Sequence, residues 1–124
     1  MLDRLPATFY QSSFGSSEPS LTLYFGAEMT VSLVTVVNGL QKEYLEYLEK
    51  SEVSVMVSGG YEPYSCGIIT NVNTESLEEM DQTYIILCNN TVGIGVKLTR
   101  LLTAKAKAWC IAEIVIQYYL PGKL

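Results

Sequence analysis

Histidine is missing from this 124-residue chain, and with it the commonest general base and metal ligand. Ser-His-Asp and Cys-His centres are thereby excluded. The acid-base groups that remain are carboxylates: Glu43, Glu46 and Glu49 in one group, Glu75, Glu78, Glu79 and Asp81 in another. Helical spacing makes the first group a solvated face, and the second reads as a polar loop. Hard cations take clustered carboxylates, yet the spacing of Glu78-Glu79-Asp81 matches no calcium loop. The expectation is a non-enzyme with no metal and no cofactor.

One segment has the residue types of an anion cradle. Asn89-Asn90-Thr91-Val92-Gly93-Ile94-Gly95-Val96-Lys97 follows an apolar run and leads to Thr99 and Arg100. Backbone N–H groups of a glycine turn, joined by a guanidinium, would suit a small anion. A dinucleotide fingerprint would need a third glycine where Leu98 stands, and a βαβ repeat around it. The glycines therefore read first as turn residues with φ > 0. Gly93, Gly95, Thr99 and Arg100 are the candidate site for a small anionic ligand.

Three cysteines, Cys66, Cys88 and Cys110, are an odd number in a chain whose first residues, Met1 to Pro6, lack the order of a signal peptide. They read as free, mostly buried thiols of a reducing compartment. The expected location is therefore cytoplasmic or inside an assembled particle. The one glycosylation sequon, Asn89-Asn90-Thr91, has no role without secretion.

Charge is sorted along the chain. Between Glu18 and Asp81 eleven carboxylates face only Lys42 and Lys50, whereas from Lys97 onward four lysines and one arginine face Glu113 alone. A fold that kept the two stretches apart would carry an acidic face and a basic end, and such a subunit attracts copies of itself. The formal net charge of −5 argues against nucleic acid as the main partner. No stretch reaches the 18 to 20 or so apolar residues of a transmembrane helix. Nine tyrosines and a charged fraction of 17% suit a surface largely covered by partners. Phe9, Tyr10, Phe14, Tyr61, Tyr64, Tyr118 and Tyr119 are the candidate contact residues. The expected role is a self-assembling structural subunit, either a symmetric homo-oligomer or a component of a shell or virion. The alternative is a small module that sequesters an anion near Gly93 to Arg100.

These residues need elements to hold them. Residues 1–20, aromatic and then Ser/Gly-rich, read as an arm that packs on its own domain or docks on a neighbour. Residues 21–124 read as one domain. Leu21 to Phe25 alternates as a strand closed by Gly26. Thr30 then looks like the N-cap of a helix running to about Lys50, with Leu40, Tyr44, Tyr47 and Leu48 on one face. The alternative is a strand over the β-branched run Val31 to Val37, followed by a shorter helix. Val53, Val55 and Val57 mark a half-buried strand, with Cys66 to Val72 as its hairpin partner. Ser76 to Glu79 fits a capping box, and Tyr84 to Cys88 a central strand. Val96 to Leu102 and Ala106 to Leu120 read as two strands, with a helix over Val96 to Lys107 as the alternative. The expected fold is α+β: a mainly antiparallel sheet of five or six strands with one long helix packed on a face.

Overall fold

A computed structural model describes residues 3–7, 10–11, 20–39, 48–59, 61–100 and 110–120, with side chains from residue 20 onward except at position 110. Seven strands form one antiparallel sheet: β1 (Asp3–Ala7), β2 (Tyr10–Gln11), β3 (Ser20–Asn38), β4 (Ser51–Met56), β5 (Tyr64–Ile69), β6 (Thr83–Arg100) and β7 (Cys110–Tyr119). Their order is β1-β7-β3-β6-β4-β5, with β2 also on β7. A 3-10 turn, Glu79–Gln82, precedes β6.

The α+β expectation is corrected, because no α-helix is present among the described residues. Thr30 to Asn38, read as the start of the long helix, continues β3. The β-branched run Val31 to Val37 decides this locally, since its side chains crowd a helix and suit a pleated surface. Val34 and Val36 point into the core and Leu33 and Thr35 lie half-buried, the two-residue period of a strand. Residues 40–47, which carried most of the helical pattern, lie outside the described residues.

Two long strands turn the sheet into two layers. The first half of β3, Ser20 to Tyr24, pairs with β6 from Gly95 to Thr99, and β4 and β5 extend that layer. The second half pairs with β7 from Thr30 to Asn38, and from Met29 to Val37 with β6 between Thr83 and Gly93. Register shifts between Tyr24 and Met29 and between Val31 and Leu33 mark the corner where both strands cross over. Bulges are the usual means of bending paired strands. Gly93 and Gly95 are required there. A Cβ on Gly95 would lie 2.5 Å from the Leu23 carbonyl oxygen, and one on Gly93 2.6 Å from that of Met56.

The core lies between the layers. Leu21, Leu23, Val53, Val96 and Leu98 of one layer meet Val34, Val36 and Ile114 of the other around an apolar cavity of about 10 Å³, which is at most the size of one water. Phe25 stacks on Tyr118 with centroids 4.9 Å apart. A disulfide, Cys66–Cys88, ties β5 to the first half of β6. The expectation of three free thiols is therefore corrected. Cys110 contributes backbone to β7, and its side chain lies outside the described set. Asp3–Ala7 of the expected arm pairs with β7 of its own chain.

The 70–82 segment is pinned by a buried amide. Gln82 is fully buried. Its Nε2 donates to the carbonyls of Asn73 and Ser76, and its Oε1 accepts from Asn38 Nδ2 (3.1 Å) and the Tyr84 hydroxyl (3.4 Å). Glu49 accepts from the backbone N–H groups of Asn71 and Val72 at 3.2 and 2.9 Å.

Candidate functional site

The corner where β3 and β6 change layers gathers exposed aromatic side chains. Tyr61 is 76% exposed, Tyr64 42%, and Tyr24, opposite Gly95, 64%. Tyr61 sits in the β4–β5 connection against Gly59, whose φ of +86° favours glycine and whose missing side chain leaves room for the ring. Tyr64 opens β5, and its hydroxyl accepts from Asn89 Nδ2 at 3.4 Å. Asn89 and Asn90 both hold positive φ, 54° and 55°. Asparagine tolerates this conformation better than most residues. Thr91 Oγ1 donates to the Cys88 carbonyl at 2.5 Å and braces the bulge. The disulfide lies one residue from Asn89 and two from Tyr64. Across the corner, Ser58 Oγ donates to Glu28 Oε2 at 3.1 Å and joins the β4–β5 connection to the β3 irregularity.

The residues singled out from the sequence scatter differently. Gly93 and Gly95 are not turn residues. They lie buried in β6 within the ladder, and neither has positive φ. Thr99 stands half-buried and Arg100 buried, and adjacent strand residues point to opposite faces. The structure therefore does not bring Gly93, Gly95, Thr99 and Arg100 together around one point.

Of the expected contact residues, Tyr61 and Tyr64 are exposed and close in sequence, whereas Tyr118 is half-buried on Phe25 and Tyr119 is 7% exposed. The Tyr119 hydroxyl has no hydrogen-bond partner. Tyr10 contributes backbone to β2, opposite Ile111. Its side chain, like all of Phe9 and Phe14, lies outside the described residues.

Sequence reasoning named Asn89 and Asn90 only within the glycine segment and the sequon, and passed over Ser58 and Glu28. The paired asparagines carried a usable signal, since adjacent residues able to take left-handed φ mark a bend.

The acidic stretch serves the fold. Asp81 Oδ2 accepts from Ser76 Oγ at 2.7 Å, and Ser76 Oγ itself accepts from the Glu78 N–H at 3.2 Å. The helical turn begins two residues later than the capping box implied, with Glu78 rather than Ser76 at the N-cap. Among the described residues no group of three or more carboxylates or thiols is placed to hold a metal ion. Burial, the largest cause, pushes the Tyr84 hydroxyl above its ordinary value, and the charges of Glu49 and Asp81 add to it. The charge sorting does not survive folding intact. Lys97 sits between Thr22 of β3 and Ser54 of β4, in the middle of the acidic half. Lys105, Lys107 and Lys123 lie outside the described residues.

No protein-family model matches the chain, and no curated protein matches it. Among solved structures it is similar to a carbohydrate-binding module, CpGH89CBM32-6, of Clostridium perfringens. The TM-score is 0.58 at 18% identity, over 87% of this chain and 74% of that one. At that identity the likeness is one of fold.

Proposed function

We propose that this chain is a non-catalytic carbohydrate-binding module whose recognition surface is the Tyr61–Tyr64 corner. The observation that carries the reading is two exposed tyrosine rings beside a hydrogen-bonded asparagine, on a corner anchored by a disulfide. A sugar ring offers a face of C–H groups and a rim of hydroxyls. Tyrosine presents an apolar face with a polar tip, and the amides of Asn89 and Asn90 both donate and accept. Bound side chains cost least when already held in place, as the disulfide and the Thr91 bond hold this rim. The likeness to a carbohydrate-binding module supports the reading at the level of fold. A disulfide also suits an oxidising compartment, where extracellular glycans are met. The test is binding to a glycan array, with Tyr61→Ala and Tyr64→Ala expected to abolish the signal while both variants remain folded.

Self-association is a second reading, and one surface favours it. Ile85 and Leu87 are each 61% exposed on the outer face of β6, beside half-buried Leu33 and Thr35 of β3. An apolar contact of this kind holds in high salt, whereas one built on charge weakens as the screening length falls to about 3 Å at 1 M. Light scattering at low and high salt measures the mass and separates the two causes.

A further inference from the structure

We propose that the corner selects neutral or amino-bearing glycans and turns away acidic ones. The proposal rests on the glycan reading above and adds the substrate class to it. Glu62 lies in the exposed stretch between Tyr61 and Tyr64. Glu28 is also exposed, and its carboxylate is held in place by Ser58, the neighbour of the glycine against which the Tyr61 ring packs.

The described cations are elsewhere. The Lys50 N–H bonds the Ile69 carbonyl, at the end of β5 remote from Tyr64. Arg100 is buried opposite Ser51, at the end of β4 remote from Met56. Lys97 is the nearest, two residues along β6 from Gly95 and between Ser54 and Thr22, while Arg4 stands on β1 at the other end of the strand order. Among the described residues the corner itself thus holds two carboxylates, with Lys97 as the closest cation.

Sialic, uronic and sulfated sugars carry negative charge, and proteins hold such groups with arginine or lysine. This corner lacks those partners and adds like charge, which weakens binding of an acidic sugar in two ways. Neutral hydroxyls find what they need in the amides of Asn89 and Asn90. An ammonium group on the sugar would find the carboxylates. Selectivity here comes from repulsion as much as from fit.

The test uses the full chain on a printed array of neutral, amino-bearing, sialylated, uronate and sulfated glycans. Binding to neutral or amino-bearing glycans, with acidic counterparts at least about tenfold weaker, is the expected result. The doubly neutralised variant Glu28→Gln with Glu62→Gln narrows the ratio between neutral and acidic binding. Equal binding of acidic and neutral glycans by the wild type overturns the selectivity and leaves the glycan reading standing. A variant that keeps the full gap also overturns it, since the carboxylates are then not its cause. Silence across the whole array overturns both.

Discussion

Cys66 and Cys88 are bonded across a seam between β5 and β6 along which no ladder runs among the described residues, their Cα atoms 4.7 Å apart. β5 ends the strand order, and the first half of β6 is paired only with β3. The disulfide therefore joins two strand edges that hydrogen bonding leaves apart. Breaking it with Cys66→Ala and Cys88→Ala should lower stability by about 3 kcal/mol, the value for a loop of this length. Urea unfolding measures the loss. Alkylation of the unfolded, unreduced wild type should label one thiol of the three.

Gln82 supplies a second test. Its amide is enclosed and joins Asn38, Asn73, Ser76 and Tyr84. Gln82→Leu fills the space but strands several buried polar groups. A loss of about 2 kcal/mol follows from the cost of unsatisfied donors and acceptors. Proteolysis within residues 70–82 should quicken in the same variant, since that amide fastens the segment.

Tyr84 predicts a pH dependence. Its hydroxyl is held above its ordinary value mainly by burial, so the folded state favours the protonated form. The raised group contributes its stability fully below the unfolded value of about 10 and loses it as pH climbs through the folded value. Thermal melts from pH 8 upward should show stability falling above pH 10. Tyr84→Phe should flatten that fall. An unchanged alkaline slope in the variant would assign the effect to another group.

The position of Asn89 offers a direct probe of the recognition surface. It heads Asn89-Asn90-Thr91, which a eukaryotic secretory host reads as a glycosylation acceptor. A glycan attached to the amide that bonds Tyr64 would cover that ring. Protein made in such a host should therefore bind array glycans worse than protein made in bacteria. Thr91→Ala removes the acceptor and with it the bond that braces the rim, so this variant should bind equally from either host, below the bacterial wild type. Mass spectrometry reports the attached glycan.

The strands that could be read from sequence are those whose two-residue period is uninterrupted. Val53, Val55 and the Cys66 segment announced the β4–β5 hairpin, and Tyr84 to Cys88 announced β6. β3 reads as a strand only over Leu21 to Phe25. Its period breaks at each bulge, at Phe25 to Glu28 and at Ser32, and the helical pattern after Leu40 draws Thr30 to Asn38 into a helix, with the strand Val31 to Val37 left as the alternative. Gly93 and Gly95 misled for a related reason. Glycine marks a turn and a close approach alike, and only the position of Leu23 and Met56 across the corner distinguishes them. The Tyr61–Tyr64 pair was visible as a contact point, but its partners came from residues some 25 positions later, a distance that no local pattern spans. The disulfide was hidden by parity: three cysteines suggested none was paired, whereas two pair and one does not enter the bond.

β1 has one ladder partner, β7, and so does β2. Asp3 faces Tyr118 and Ala7 faces Ile114 across that ladder, so the first and the last of the described strands are partners. Until Cys110–Tyr119 has been made, β1 and the side of β3 that faces β7 lack the strand they pair with among the described residues. Such distant pairing folds slowly once synthesis ends. A nascent chain stalled before residue 110 should therefore bind chaperones that recognise unpaired strands, and releasing it ten residues later should end that dependence.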